Sequence, residues 1–290
     1  MKTNILPAYT FNRLKMNYAE INYEPADIKK AAISEDSFID LKTAEDVAFD
    51  IEVAEGEERS VIMNLASEGT LNLSSKINIK AGASLKLVQV YGGDSKGRVI
   101  NSIEGDVDKE GKIHIVQLLP GRGDCYTDCR IELKGDKSSA YIDMAYLTKG
   151  GQKHDSNYVV NHRGKETVSD IRTDGALKDG AEKTMRQTID FKTGASGSTG
   201  KENEKVLLLG EDIVNKSIPL ILCTEEDVQG NHGAAIGSLN EEMLFYLESR
   251  GISKEEGERL MTYANFGRLL PFIDDEKYRE KIEELLAEEL

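Results

Sequence analysis

From about residue 48 to residue 237 the chain is an almost unbroken series of short apolar–polar alternations, with no stretch of helical rhythm. Ile51/Val53, Val61/Met63/Leu65, Leu71/Leu73, Ile77/Ile79, Leu85/Leu87, Ile113/Ile115, Ile131/Leu133 and Ile189/Phe191 each set apolar side chains two residues apart. In an extended strand that spacing places them on one face, so each run reads as a half-buried strand. Glycines punctuate the runs at Gly56, Gly69, Gly82, Gly92-Gly93-Asp94, Gly111, Gly135, Gly150-Gly151 and Gly180. Glycine accepts positive φ at no steric cost, so these positions are turns. The body is therefore all-β. A sandwich or barrel would join its strands by two-residue hairpins. A parallel β-helix would join them by glycine corners and stack its coils along one axis. A glycine corner followed by a strand recurs at Gly82, Gly111 and Gly180, which tilts the choice toward the β-helix. The repeat is loose, with 29 residues from Gly82 to Gly111 and 24 from Gly111 to Gly135.

The flanks have a different texture. Ala26-Asp27-Ile28-Lys29-Lys30-Ala31-Ala32, within an N-terminal segment spanning residues 1–47, reads as a short helix. After the β body (48–237), Ser238-Leu239-Asn240-Glu241 has the form of a capping box. Met243, Leu244 and Leu247 follow at helical spacing, and Gly251 stops them. Ser253-Lys254-Glu255-Glu256 is a second box, leading to a break at Pro271. A third helix starts near Asp275, with Tyr278, Ile282, Leu285 and Leu286 on one stripe. Residues 238–290 thus form a helical region.

Composition excludes several functions. Lys and Arg number 37 against 52 Asp and Glu, a net charge of −15, the wrong sign for a phosphate-backbone binder. There is no Trp, which argues against a stacking platform for bases or sugars. No Gly-Lys-Ser/Thr, Gly-x-Gly-x-x-Gly or Gly-x-Ser-x-Gly sequence marks a nucleotide site or a nucleophile elbow. Three sparse cysteines, no apolar run long enough to span a bilayer and no apolar stretch in the opening residues point to a cytoplasmic protein away from membranes. Cys125 and Cys129 lack the second pair of ligands that zinc needs. Cys223, ending the apolar run Ile218–Cys223, reads as a buried inert thiol. His114, between Ile113 and Ile115, is expected on the outward face of its strand. His154 and His162 flank Tyr158-Val159-Val160 and are expected near a shared edge. Asp143 with Asp170 could serve as the acid and base of a β-helix carbohydrate-active enzyme. A β-helix oligomerisation module without chemistry is the blander alternative.

The stretch from Asp227 to Ile252 reads DVQGNHGAAIGSLNEEMLFYLESRGI. It resembles the SufB/SufD family of iron–sulfur cluster assembly proteins, whose members carry D-V-x-C-x-H-G-A-T-x-G-x-L-D-E-x-x-L-F-Y-L-x-S-R-G-I. Weaker likenesses run through Gly175–Ala181 and Leu207-Leu208-Leu209, and through Leu6-Pro7…Thr10-Phe11-Asn12-Arg13-Leu14-Lys15-Met16-Asn17. The resemblance implies a right-handed parallel β-helix with a C-terminal helical region and no enzymatic activity of the subunit's own. It implies pairing with a SufB-like subunit or with a second copy. It further implies docking of the ABC-type ATPase SufC by the C-terminal helices, with Leu244, Phe245, Leu247 and Arg250 as candidate anchors. His232 is the motif histidine, placed at a subunit interface where a transient iron–sulfur cluster forms. Departures from the pattern sharpen this. Gly230 stands where the family has cysteine and Ala235 where it has threonine. After Leu207-Leu208-Leu209-Gly210 no thiol follows until Cys223. Clusters are usually held by thiolates, so this chain resembles the SufD-type accessory half, holding no cluster stably alone. A neutral imidazole still suits iron, so His232 could give one ligand to a site that a partner completes.

Overall fold

The computed structural model describes residues 1–8, 10–42, 44–92 and 97–290, so the expected turn at Gly93-Asp94 lies outside the described residues. Two eight-stranded parallel sheets face each other. One runs from Lys29–Ile33 to Val214–Cys223, the other from Ser37–Leu41 to Val228–Gly237, and the chain visits them alternately. Within these sheets each strand between the ends pairs with the strand two before it and two after it. His154, for example, lies in register between Cys125 and Lys183, 29 residues away on either side. This is a parallel β-helix, and the loose glycine spacing in the sequence is its coil length.

Every apolar pair read from the alternation lies in the interior core. The in-register stacking turns these pairs into columns. Val61, Leu87, Ile115, Ile142 and Ile171 stand one above the other, all fully buried. Branched side chains on a pleated surface interlock well in such stacks. Polar residues inside are paired among themselves. Asn101 donates to Gln89 Oε1 (2.7 Å) and Tyr91 Oη (2.6 Å), Gln117 donates to the same Gln89 oxygen (2.8 Å), and Tyr158 donates to Gln117.

Both outer flanks are covered. On one, Ala19 and Ile21 of the N-terminal segment pack on Ile100 and Tyr126. Asn4 Nδ2 donates to the Asp155 carbonyl (2.7 Å), and Arg186 Nε donates to the Met16 carbonyl (2.6 Å). On the other, helices α1 (Glu241–Ser249), α2 (Lys254–Gly267) and α3 (Glu276–Glu289) follow the last strand. Phe266, Leu269, Leu270, Ile273, Tyr278, Ile282 and Leu286 close over Val88, Val116, Leu118, Ala145 and Ala176. Arg268 pins this layer through ion pairs to Asp143 and Asp174. Glu289 takes Arg122 (2.6 Å) and Lys149 (2.7 Å).

Two local expectations are corrected. Residues 26–32 form no helix. Lys29–Ile33 is instead the first strand of its sheet, paired with Asp46–Val53. Its first four residues are exposed, so no alternation advertises it. Helix α1 is capped by Asn240, whose side chain accepts from the Met243 amide (2.7 Å), and not by Ser238. Ser253 and Asp275 do cap α2 and α3, accepting from Glu256 (3.2 Å) and Tyr278 (2.9 Å).

Gly175 sits in register on Tyr146, and a Cβ there would lie 2.0 Å from the buried ring. Gly175→Ala is expected to cost about 1–3 kcal/mol by overpacking. Denaturant unfolding checks this, and an unchanged midpoint would show that the ring can move aside.

Candidate functional site

The two ends of the ladder are not equivalent to its middle. Val214–Cys223 and Val228–Gly237 each have a sheet neighbour on one side only among the described residues. Val228–Gly237 is exposed along nearly its whole length. The core therefore opens at this last coil.

Parity fixes what faces the opening. Val228 packs against the core, and a Cβ on Gly230 would lie 3.2 Å from Ile221 and Phe191, so this parity points inward. His232 shares it and stands over the open end, exposed, in register with Glu202. Glu202 extends the column of Val61, Leu87, Ile115, Ile142 and Ile171. The aliphatic stack thus ends in an acid and then an imidazole. Glu202 is fully buried, and no side chain hydrogen-bonds either carboxylate oxygen. Burial pushes its carboxyl up to about 8, against a smaller downward pull from the Leu220 amide.

The neighbouring acid is spent. Glu204 forms a buried ion pair with Lys183, whose Nζ also donates to Asn215 Oδ1 and Ser217 Oγ (both 3.0 Å). Burial lowers the Lys183 ammonium pKa despite the pull of Glu204. Neither Glu202 nor this pair was visible in the sequence. Lys201-Glu202-Asn203-Glu204-Lys205 is uniformly polar, and only the register reveals that its two acids point inward.

The other candidates separate. Cys125 and Cys129 lie on one strand facing the core, their thiols raised by burial, that of Cys125 to about 12. Cys223 is not buried as expected. It is exposed at the end of the last strand of its sheet, with Sγ 2.9 Å from the Glu225 carbonyl. Its apolar run lies in the terminal coil, on which no further coil stacks among the described residues, so most of it is only half-buried. His114 does face outward, 2.8 Å from Asp143 and edge-on to Phe272. His154 and His162 do not meet, because they occupy opposite ends of one ten-residue strand. His154 bonds Ser156 (2.7 Å) against Tyr146, and His162 bonds Thr167 (2.7 Å) and Ser169 (2.8 Å). Burial lowers the two imidazoles to about 3 and about 4. Asp143 is engaged by His114 and Arg268 beneath the helices. Burial alone would raise its carboxyl, but those partners hold it below the ordinary range, which suits an ion pair better than a general acid.

Helix α1 stands apart from the body. None of its residues is buried, and Phe245 is 74% exposed. Leu247 leans on α2 at Gly257, while Arg250 lies 5.1 Å from the Tyr246 ring.

The fold is a parallel β-helix with covered flanks and an open, polar last coil. Residues 43–265 match the SufBD core domain of SUF system FeS cluster assembly, and the chain belongs to that family. It is 30% identical over 167 residues to the iron–sulfur cluster assembly protein SufD of Bacillus subtilis, covering 58% of this chain and 38% of that one. It is 23% identical over 248 residues to a SufBD family protein of Mycobacterium leprae, covering 83% and 63%. A SufBD family protein of Staphylococcus saprophyticus is 29% identical over 147 residues, 51% and 30%. The chain thus spans less than two thirds of each of these relatives. No helix among the described residues is long and apolar enough to cross a membrane.

Both buried imidazoles have folded pKa values below the ordinary value of about 6.5. Their contribution to stability is complete above about 6.5 and is lost as pH falls toward about 4 and then about 3. Histidine proton shifts of the folded protein are expected to leave His154 and His162 neutral at pH 5.5. A titration midpoint above 6 for either would contradict their burial.

Proposed function

We propose that this chain serves as a SufD-like subunit of a SufBCD-type scaffold. Region 238–290 docks a SufC-type ABC ATPase. The open last coil meets a SufB-like subunit or a second copy, and a transient cluster forms there against His232. The carrying observation is the terminal coil: a histidine at the end of a solenoid whose last strand has a free edge. A free strand edge with small side chains is a template for pairing with another chain. Gly230, Gly233, Ala234, Ala235 and Gly237 keep this one slim.

The docking surface is supported by α1. Met243, Phe245 and Tyr246 are exposed apolar residues on a helix that gives nothing to the core. Phe245 and Tyr246, with Arg250 beside the Tyr246 ring, have the aromatic and arginine character of interface anchors. Leu244 is half-buried and Leu247 is turned to α2, so they hold the helix in place more than they present it. The net charge of −15 suits neither nucleic acid nor an anionic membrane, in keeping with a cytoplasmic setting.

Co-purification of the full chain with a SufC-type ATPase tests the docking surface. Phe245→Glu is expected to weaken capture by about tenfold or more, with an unchanged thermal midpoint. Equal capture by the variant would remove α1 from the interface. His232→Ala is expected to lower cluster assembly in the reconstituted complex and leave ATPase capture unaltered. Loss of fold in that variant would make the histidine structural.

A further inference from the structure

We propose that Glu202 and His232 together form a two-donor site for a divalent first-row cation, ferrous iron in the working protein, at the open end of the β-helix. The inference rests on the reading of His232 as the residue that faces the assembling cluster, and it adds a second donor from the coil beneath.

Position carries it first. Five successive coils place Val or Ile or Leu in this column, all fully buried. At the sixth, Glu202 replaces the aliphatic side chain, and at the seventh, His232 does. Neighbouring strands are about 4.8 Å apart, so in-register side chains of one parity are adjacent. Carboxylate and imidazole are brought together by the same register that stacks the isoleucines.

The second observation is the unmet carboxylate. A fully buried acid with no side-chain partner, eased only weakly by the Leu220 amide, is costly and rare in a native protein. An aliphatic residue would continue the column without that cost. The adjacent acid shows what a structural solution looks like here, since Glu204 is neutralised by Lys183 and buttressed by Asn215 and Ser217. Glu202 has no such cation. Its register neighbours are Ile171 below and His232 above, so the open end is where a counter-charge can enter.

The donor chemistry fits. One carboxylate oxygen and one imidazole nitrogen suit a divalent first-row ion better than a thiophilic one. Among the described residues no three His, Cys, Asp or Glu side chains converge. Two donors leave positions for water and for groups across the interface, as a site that transfers its ion requires.

Cobalt(II) reports such a site without redox chemistry. The full-length protein, titrated anaerobically with cobalt(II), is expected to bind one equivalent, read by calorimetry and by ligand-field absorption. Glu202→Gln and His232→Ala should each weaken binding by about tenfold or more. Glu202→Leu, which extends the aliphatic column, should abolish binding while the thermal midpoint rises, so loss of binding cannot be loss of fold. If His232→Ala weakens binding and Glu202→Gln does not, Glu202 is no donor and the inference fails while the reading of His232 stands. If Glu202→Gln weakens binding and His232→Ala does not, the reading of His232 fails. Absence of cobalt binding by the wild-type protein overturns the site altogether.

Discussion

The in-register parallel ladder governs this molecule. Each strand is held by its neighbours two strands away, and the register makes every inward side chain inherit the position of the one beneath it. A column can continue only if each coil supplies a side chain of similar volume and polarity, because interiors are close-packed. That explains the Val–Leu–Ile–Ile–Ile stack. It also explains why Gly175 is fixed by Tyr146 in the coil before it, whose ring lies in the space a Cβ would take. The same rule makes the last coil exceptional. Among the described residues no further coil stacks on it, so its inward residues are released from packing and can carry chemistry.

Much of this was legible in the residues. The period-two pairs from Ile51 to Phe191 all became core, because burial of one strand face is what alternation encodes. The cap at Ser253 and the start of the third helix near Asp275 were legible for an equally local reason. What escaped was set by pairing at long range. Lys29–Ile33 is a strand because Asp46–Val53 offers it an edge, while its own exposed residues resemble a polar helix. At α1 Asn240 took the role that Ser238 was expected to take, because its side chain is the one that accepts the third-position amide, that of Met243. Cys223 was misjudged because an apolar run implies burial only if another layer covers it. Glu202 was invisible for the converse reason. Inside the five-residue polar run from Lys201 to Lys205 nothing distinguishes an acid facing water from one facing a core.

The acidic helices look different once folded. Residues 241–290 hold 14 acidic and 7 basic side chains, −7 of the total −15. Part of this charge is internal cement. Glu289 lies between Arg122 and Lys149 on the solenoid, and these partners hold its carboxyl below the ordinary range against the opposing effect of burial. Asp274 pairs with Lys86. Partly buried pairs of this kind orient a layer that the apolar contacts of Phe266, Ile273, Ile282 and Leu286 already hold. Helix α1 shares in neither the apolar layer nor the cement, which is why its aromatic residues remain in solvent.

The terminal coil also explains the missing family cysteine in physical terms. At position 230 a side chain would enter the core between Ile221 and Phe191, at distances closer than most Cβ contacts. Ile221 and Phe191 already fill that space, so a thiol could return only if they gave way by a few tenths of an ångström. The nearest thiol, Cys223, sits at the corner of the coil against the Glu225 carbonyl and away from the His232 column. The opening thus presents nitrogen and oxygen donors and withholds sulfur. Thiolates hold assembled clusters, whereas imidazole and carboxylate suit the single ferrous ion that precedes one. On the proposed reading of this end, such a donor set would suit presenting iron to a sulfur-bearing partner better than retaining the product.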